Sequence, residues 1–225
     1  MPRSDETGCR AWLAPATTGT KAVRDQSLRS LLPIVVVTGK LEPQGGSTMT
    51  RLVAFLRGVN LGKRQMKMTD LQHSFSRAGF GGAQTVLATG NVVFDGENDA
   101  ATVRRIETQL LGDFGFEVET ILRSATELQD MVRSDPFTGY SAGADVKFYV
   151  FMLGMGNTDR LELPCAAAGD FEIAGKSAQD IFAVAFRMAN GRFGPGLDTL
   201  GKPFGRHVTS RNWNTILRIL EKASS

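Results

Sequence analysis

The segment Arg51-Leu-Val-Ala-Phe-Leu56 places the tightest limit on how this chain can fold. Read as a strand, it puts Leu52, Ala54 and Leu56 on one face and Val53 and Phe55 on the other. Side chains alternate across a strand, so this one is apolar on both sides and must be covered on both. Beyond Arg57 the chain switches between helical and strand periodicity. Leu71, Phe75 and Ala78 form a helical stripe that Gly79 ends, with Thr69 and Gln72 at capping-box spacing and Asp70 in the first turn. Strands are predicted over 83–89 and 91–95, joined through Thr89-Gly90, then a helix over roughly 99–113 and a strand over 116–122. That β-α-β-β-α-β order is the ferredoxin-like pattern.

The remainder repeats the theme more loosely. Ser124 and Glu127 form a second capping box, opening a helix that Asp135-Pro136 stops. A buried strand is predicted over 146–153, a short helix over 159–168, a hairpin from 171–174 and 181–188, and a closing helix over 212–222. No close internal sequence repeat is visible, only a similar order of elements. The expected fold class is α+β, a ferredoxin-like first half (49–122) packed against a looser, similarly ordered second half (123–225) as a single domain. Residues 1–48 differ: they are rich in Thr, Ser, Gly and Pro and lack helical periodicity. They read as a disordered extension or an upstream-start artefact, with Met49 opening the folded part.

Charge narrows the function classes. Residues 1–48 hold six Lys/Arg against four Asp/Glu, so most of the net charge of +3 lies there and the body is close to neutral. Such a body is not built to wrap nucleic acid by bulk electrostatics. Locally, the stretch 51–67 carries five basic residues and no acid, and 202–222 carries five more against Glu221 alone. If the two meet, they make a modest anion-attracting patch; otherwise they are scattered solvated charges. Cys9 and Cys165 suggest no disulfide framework, and no apolar run approaches the ~20 residues of a membrane span, so a cytoplasmic protein is expected.

Three polar clusters stand at element ends: Arg57-Gly-Val-Asn60, Thr89-Gly-Asn91 and Ser210-Arg-Asn-Trp-Asn-Thr215. Residues 58–68 make a long strand-to-helix connection, against roughly 2–6 residues in most such loops, and it holds two glycines and three cations. Ser210 or Thr209 would cap the last helix, leaving free N–H groups beside Arg211 and Asn212. Trp213 shares a face with Ile216, Leu217 and Leu220 and reads as core. Gly169 to Ser177 imitates a P-loop, but five residues separate its glycines instead of four and a strand follows where a helix is required. His73 reads as solvated, and no metal-ligand or nucleophile motif is present, so no metal or cofactor is expected.

Several of these residues also carry a family resemblance: Val53-Ala-Phe-Leu-Arg-Gly-Val-Asn60, Lys67-Met-Thr-Asp-Leu71, Gly79-Phe80, Thr89-Gly-Asn-Val-Val-Phe94 and Thr209-Ser-Arg-Asn-Trp-Asn-Thr215. In them the chain from Met49 to about Lys222 resembles the bacterial family known as domain of unknown function 1697. The resemblance implies an α+β protein of ferredoxin-like character and no particular activity. The expected site is a weakly basic pocket of Arg57, Asn60, Thr89, Asn91, Arg211, Asn212 and Asn214, taking a phosphorylated or otherwise anionic small molecule. The alternatives are an RNA-binding module and a protein-interaction domain without catalysis.

Overall fold

The two-sided apolar segment is β1 (Thr50–Leu56), and it lies inside a four-stranded antiparallel sheet. The computed structural model describes residues 49–59, 65–154, 169–194 and 196–224. The expectations for 1–48, for a helix over 159–168 and for Asn60 fall outside those residues. β2 (Gln84–Val86), β3 (Asn91–Gly96) and β4 (Thr120–Ser124) complete the first sheet in the order β2-β3-β1-β4, the ferredoxin-like arrangement. A second sheet holds β5 (Val146–Leu153), β6 (Phe171–Lys176), β7 (Asp180–Phe186) and β8 (Val208–Asn212), in the order β6-β7-β5-β8. Position for position, the two orders are the same.

Helices cover these sheets in layers. On one side of the first sheet, Leu52, Ala54 and Leu56 pack against α1 (Met68–Arg77) and α2 (Ala100–Phe114) through Leu71, Phe75, Ile106 and Leu110. On its other side, Val53, Phe55, Val93 and Ile121 share a core with Val150, Met152, Phe182 and Val184 of the second sheet. Between the sheets lie α3 (Ala125–Arg133) and α5 (Trp213–Ala223), contributing Leu128, Met131, Ile216 and Ile219. The far side of the second sheet is covered partly by the short α4 (Asp198–Gly201) through Leu200. Burying a side chain such as Phe55 stabilises by roughly 1.5–3 kcal/mol, and β1 does so on both faces. Trp213 is partly buried and packs against this core, edge-on to Phe137 at 5.1 Å between ring centroids.

Several element boundaries differ from the sequence expectation. α1 begins at Met68 with Lys67 at its N-cap and no side-chain cap, so Thr69 lies inside the first turn. The strand predicted over 83–89 stops at Val86; the chain turns through residues 87–90, with Leu87 (φ 58°) and Gly90 (φ 71°) in the left-handed region. β4 starts at Thr120 instead of residue 116, because its partner β1 ends at Leu56, which faces Thr120 in the register. The last helix is capped by Asn212, whose side-chain oxygen accepts from the Asn214 N–H at 3.0 Å, and by neither Ser210 nor Thr209. Those two belong to β8, a strand where the sequence suggests a loop. The Ser124–Glu127 capping box at α3 forms as expected.

Candidate functional site

Each sheet sends one arginine from its last strand into the opposite sheet. Arg211 of β8 faces Val150 in the register, and its guanidinium points away from its own sheet toward the end of β1. Nη2 donates to the Leu56 carbonyl at 2.9 Å and to the Gly90 carbonyl at 3.4 Å. Nε donates to Asn91 Oδ1 at 2.6 Å, while Nη1 donates to Thr209 Oγ1 and to the Ser210 carbonyl, each at 2.8 Å. A guanidinium has five N–H groups, and all five are used here. The Phe55 ring lies 5.6 Å from the guanidinium carbon.

Asn91 is fully buried, and its amide is held from three directions. Its Nδ2 donates to the Val86 carbonyl at 3.0 Å and to Thr89 Oγ1 at 2.8 Å, leaving Oδ1 for Arg211. Gly90 fits closely under the end of β1, its carbonyl accepting from the Leu56 N–H at 2.8 Å. A Cβ at Gly90 would stand 2.3 Å from Val59 Cγ2. Arg211 of the third cluster therefore contacts Gly90 and Asn91 of the second, and reaches the carbonyl of Leu56, the residue before the first.

Every acceptor bonded to Arg211 is neutral. Burial pulls its guanidinium down to about 10, so it remains a cation at neutral pH. The ion pairs found among the described residues include none to Arg211. The remaining basic residues contribute less than the charge pattern promised. Arg206 is taken by Glu119 at 2.8 Å and Glu117 at 3.3 Å, and Arg51 by Asp95 at 3.2 Å. Asp95, Glu117 and Glu119 thus neutralise part of both basic stretches.

The other candidates are placed less centrally. Arg57 is exposed next to Leu56, its backbone N–H bonded to the Glu119 carbonyl at 2.8 Å. Thr89 is exposed on the turn. Asn212 spends its side-chain oxygen on the α5 cap, and Asn214 is exposed in that helix's first turn. Two open grooves, of about 500 and 530 Å³, lie elsewhere: one beside α1 at Lys67, His73 and Arg77, the other on the outer face of the second sheet at Lys147, Tyr149 and Arg192. Neither is lined by a candidate residue.

Sequence reasoning passed over the counterpart of Arg211. Arg123 of β4 is 5% exposed and faces Val53 in the register, as Arg211 faces Val150. Its Nη1 donates to the preceding carbonyl, Leu122, at 2.9 Å. Its Nη2 donates to the carbonyl of Leu153 at 2.9 Å, where β5 ends, and to Gln179 at 3.3 Å and Asp180 Oδ1 at 3.2 Å. The signal was present: a lone arginine inside the apolar run Ile121-Leu-Arg is a buried charge, and a buried charge requires a partner.

The fold and these crossed arginines define a class: an α+β protein of two ferredoxin-like sheets locked across a shared middle layer. The chain belongs to the family described as "Protein of unknown function (DUF1697)", whose profile matches residues 49–176. A solved structure, that of the conserved bacterial protein SP0830 from Streptococcus pneumoniae, is similar with a TM-score of 0.59 at 21% identity, over 79% of this chain and 99% of that one. At that identity the likeness concerns the fold alone. No curated protein matches the chain. Among the described residues no helix is long and apolar enough to cross a membrane, and no group of three or more His, Cys, Asp and Glu could hold a metal ion.

Proposed function

We propose that the protein binds an anionic small molecule where the end of β1, the β2–β3 turn and β8 meet. The observation carrying this reading is the Arg211 guanidinium, buried and bonded only to neutral acceptors. A cation held in low dielectric without a countercharge attracts an anion more strongly than a solvated one does. Because its five N–H groups are engaged, Arg211 acts by its field and by fixing Asn91, while exposed Arg57 and Thr89 make the direct contacts. The RNA-binding alternative gains little from the first sheet, since core residues cover both its faces and leave no aromatic platform for bases.

The test is calorimetric titration of the full chain with a panel of nucleotides, phosphosugars and small organic acids. A binder should lose about tenfold in affinity on Arg57→Gln, the scale of one charge-assisted hydrogen bond. Arg57 is exposed, so this variant keeps the fold intact. A panel with no binder, or one whose affinity ignores Arg57→Gln, removes the proposal.

A further inference from the structure

The two crossed arginines share one backbone frame, and a difference in the charge of their partners points to a ligand class. Each donates from Nη1 to the carbonyl just before it, Leu122 or Ser210. Each donates from Nη2 to the last carbonyl of the opposite sheet's first strand, Leu153 or Leu56, at 2.9 Å in both cases. Each also reaches the last carbonyl before that sheet's third strand, Gln179 at 3.3 Å or Gly90 at 3.4 Å. Even the backbone matches: Leu153 N–H donates to Gln179 and Leu56 N–H to Gly90, both at 2.8 Å.

The next residue, the first of the third strand, separates them. In the second sheet it is Asp180, whose carboxylate pairs with Arg123 and accepts from Ser177 Oγ at 2.9 Å. In the first sheet it is Asn91, an amide, and the neighbouring hydroxyl reverses its role: Thr89 Oγ1 accepts from Asn91 Nδ2. One device therefore contains its own carboxylate and is electrically closed. The other holds the same cation in the same frame with a neutral group where the carboxylate stands. The adjoining sequence does not make up the deficit, since 51–67 contains no acid.

We infer that the ligand of the Arg211 site presents a carboxylate, supplying the single negative charge that Asp180 supplies at Arg123. This rests on the anion-binding reading above and narrows it from anions in general to carboxylates. The carboxylate is held by exposed Thr89 and Arg57 within the field of Arg211; Asn91 positions the guanidinium and does not touch the ligand. The self-closed pair at Arg123, buried as it is, takes none.

The experiment follows the Arg211 Nε–Hε resonance of the nitrogen-15-labelled full chain, assigned by its loss in Arg211→Lys. Sodium acetate, sodium phosphate and sodium chloride are titrated at matched ionic strength. Acetate should move the peak saturably and further than phosphate does, with chloride giving only the shift of added salt. Asn91→Asp rebuilds the Arg123–Asp180 pair in the first sheet, so its peak should start displaced and lose its response to acetate. If that variant does not fold, the acetate-to-phosphate comparison in the unaltered protein decides. A peak that answers phosphate in preference to acetate, or a folded Asn91→Asp protein that still answers acetate, overturns the carboxylate inference while the anion site stands. A peak that answers no anion overturns both.

Discussion

At the scale of single residues, the junction depends on what Gly90 lacks. Its backbone sits at φ 71°, which costs an L side chain roughly 1–2 kcal/mol, and a Cβ would collide with Val59 Cγ2 at 2.3 Å. Gly90→Ala should therefore destabilise by about 2–5 kcal/mol once overpacking of roughly 1–3 kcal/mol is included. Chemical denaturation of this variant against the unaltered protein checks it; a loss under about 0.5 kcal/mol, the range of a neutral surface change, would contradict the packing described. That the chain turns at Thr89-Gly90 was legible, because Gly tolerates left-handed backbone. That the Asn91 side chain is buried and aimed at a residue 120 positions away was not legible, since local preferences carry no information about a partner so distant.

Among elements, the pairing of α1 with α2 gives a pH signature. Asp113 of α2 is drawn down to about 2, chiefly by the Arg77 guanidinium of α1, then by the Ser74 hydroxyl and by Gln109. A carboxyl depressed in the folded state contributes stability that is complete above its ordinary value of 3.8 and lost as pH falls toward about 2. The melting temperature should thus fall between about pH 4 and pH 2, and Asp113→Asn should flatten that slope. Glu107, pushed up by burial and by nearby Glu119, works in the opposite sense at higher pH and is unchanged by the substitution. Equal slopes in the two proteins would mean that Asp113 ties nothing together. α1, α2 and α3 could be read in advance from their apolar spacing, and α3 also from its capping box, whereas β8 could not. Val208-Thr-Ser-Arg-Asn212 is too polar to announce a strand, and only its pairing with β5 makes it one.

For the whole molecule, the middle layer gives the two sheets one shared core, so the expectation is that they unfold together. α3 and α5 sit between them, and Val53, Phe55, Val93 and Ile121 of the first sheet share a core with Val150, Phe182 and Val184 of the second. A fragment of residues 49–140 would expose that apolar face. It should bind hydrophobic dyes and lack a sharp thermal transition, while the full chain shows one; an independently cooperative fragment would refute the shared core. The topology also shows that α3, which by sequence opens the second half, follows β4 as α5 follows β8 and so closes the first repeat. Sequence by itself determined what rests on near neighbours: the α+β class, the ferredoxin-like order of the first half, the need to cover β1 on both faces and the location of the polar clusters. Tertiary structure alone decided that the second half has the same strand order, that Arg123 and Arg211 cross between sheets, and that one meets a carboxylate and the other an amide. Those outcomes depend on groups brought together across most of the chain by burial of apolar surface, which fixes who meets whom without leaving a pattern in the local sequence.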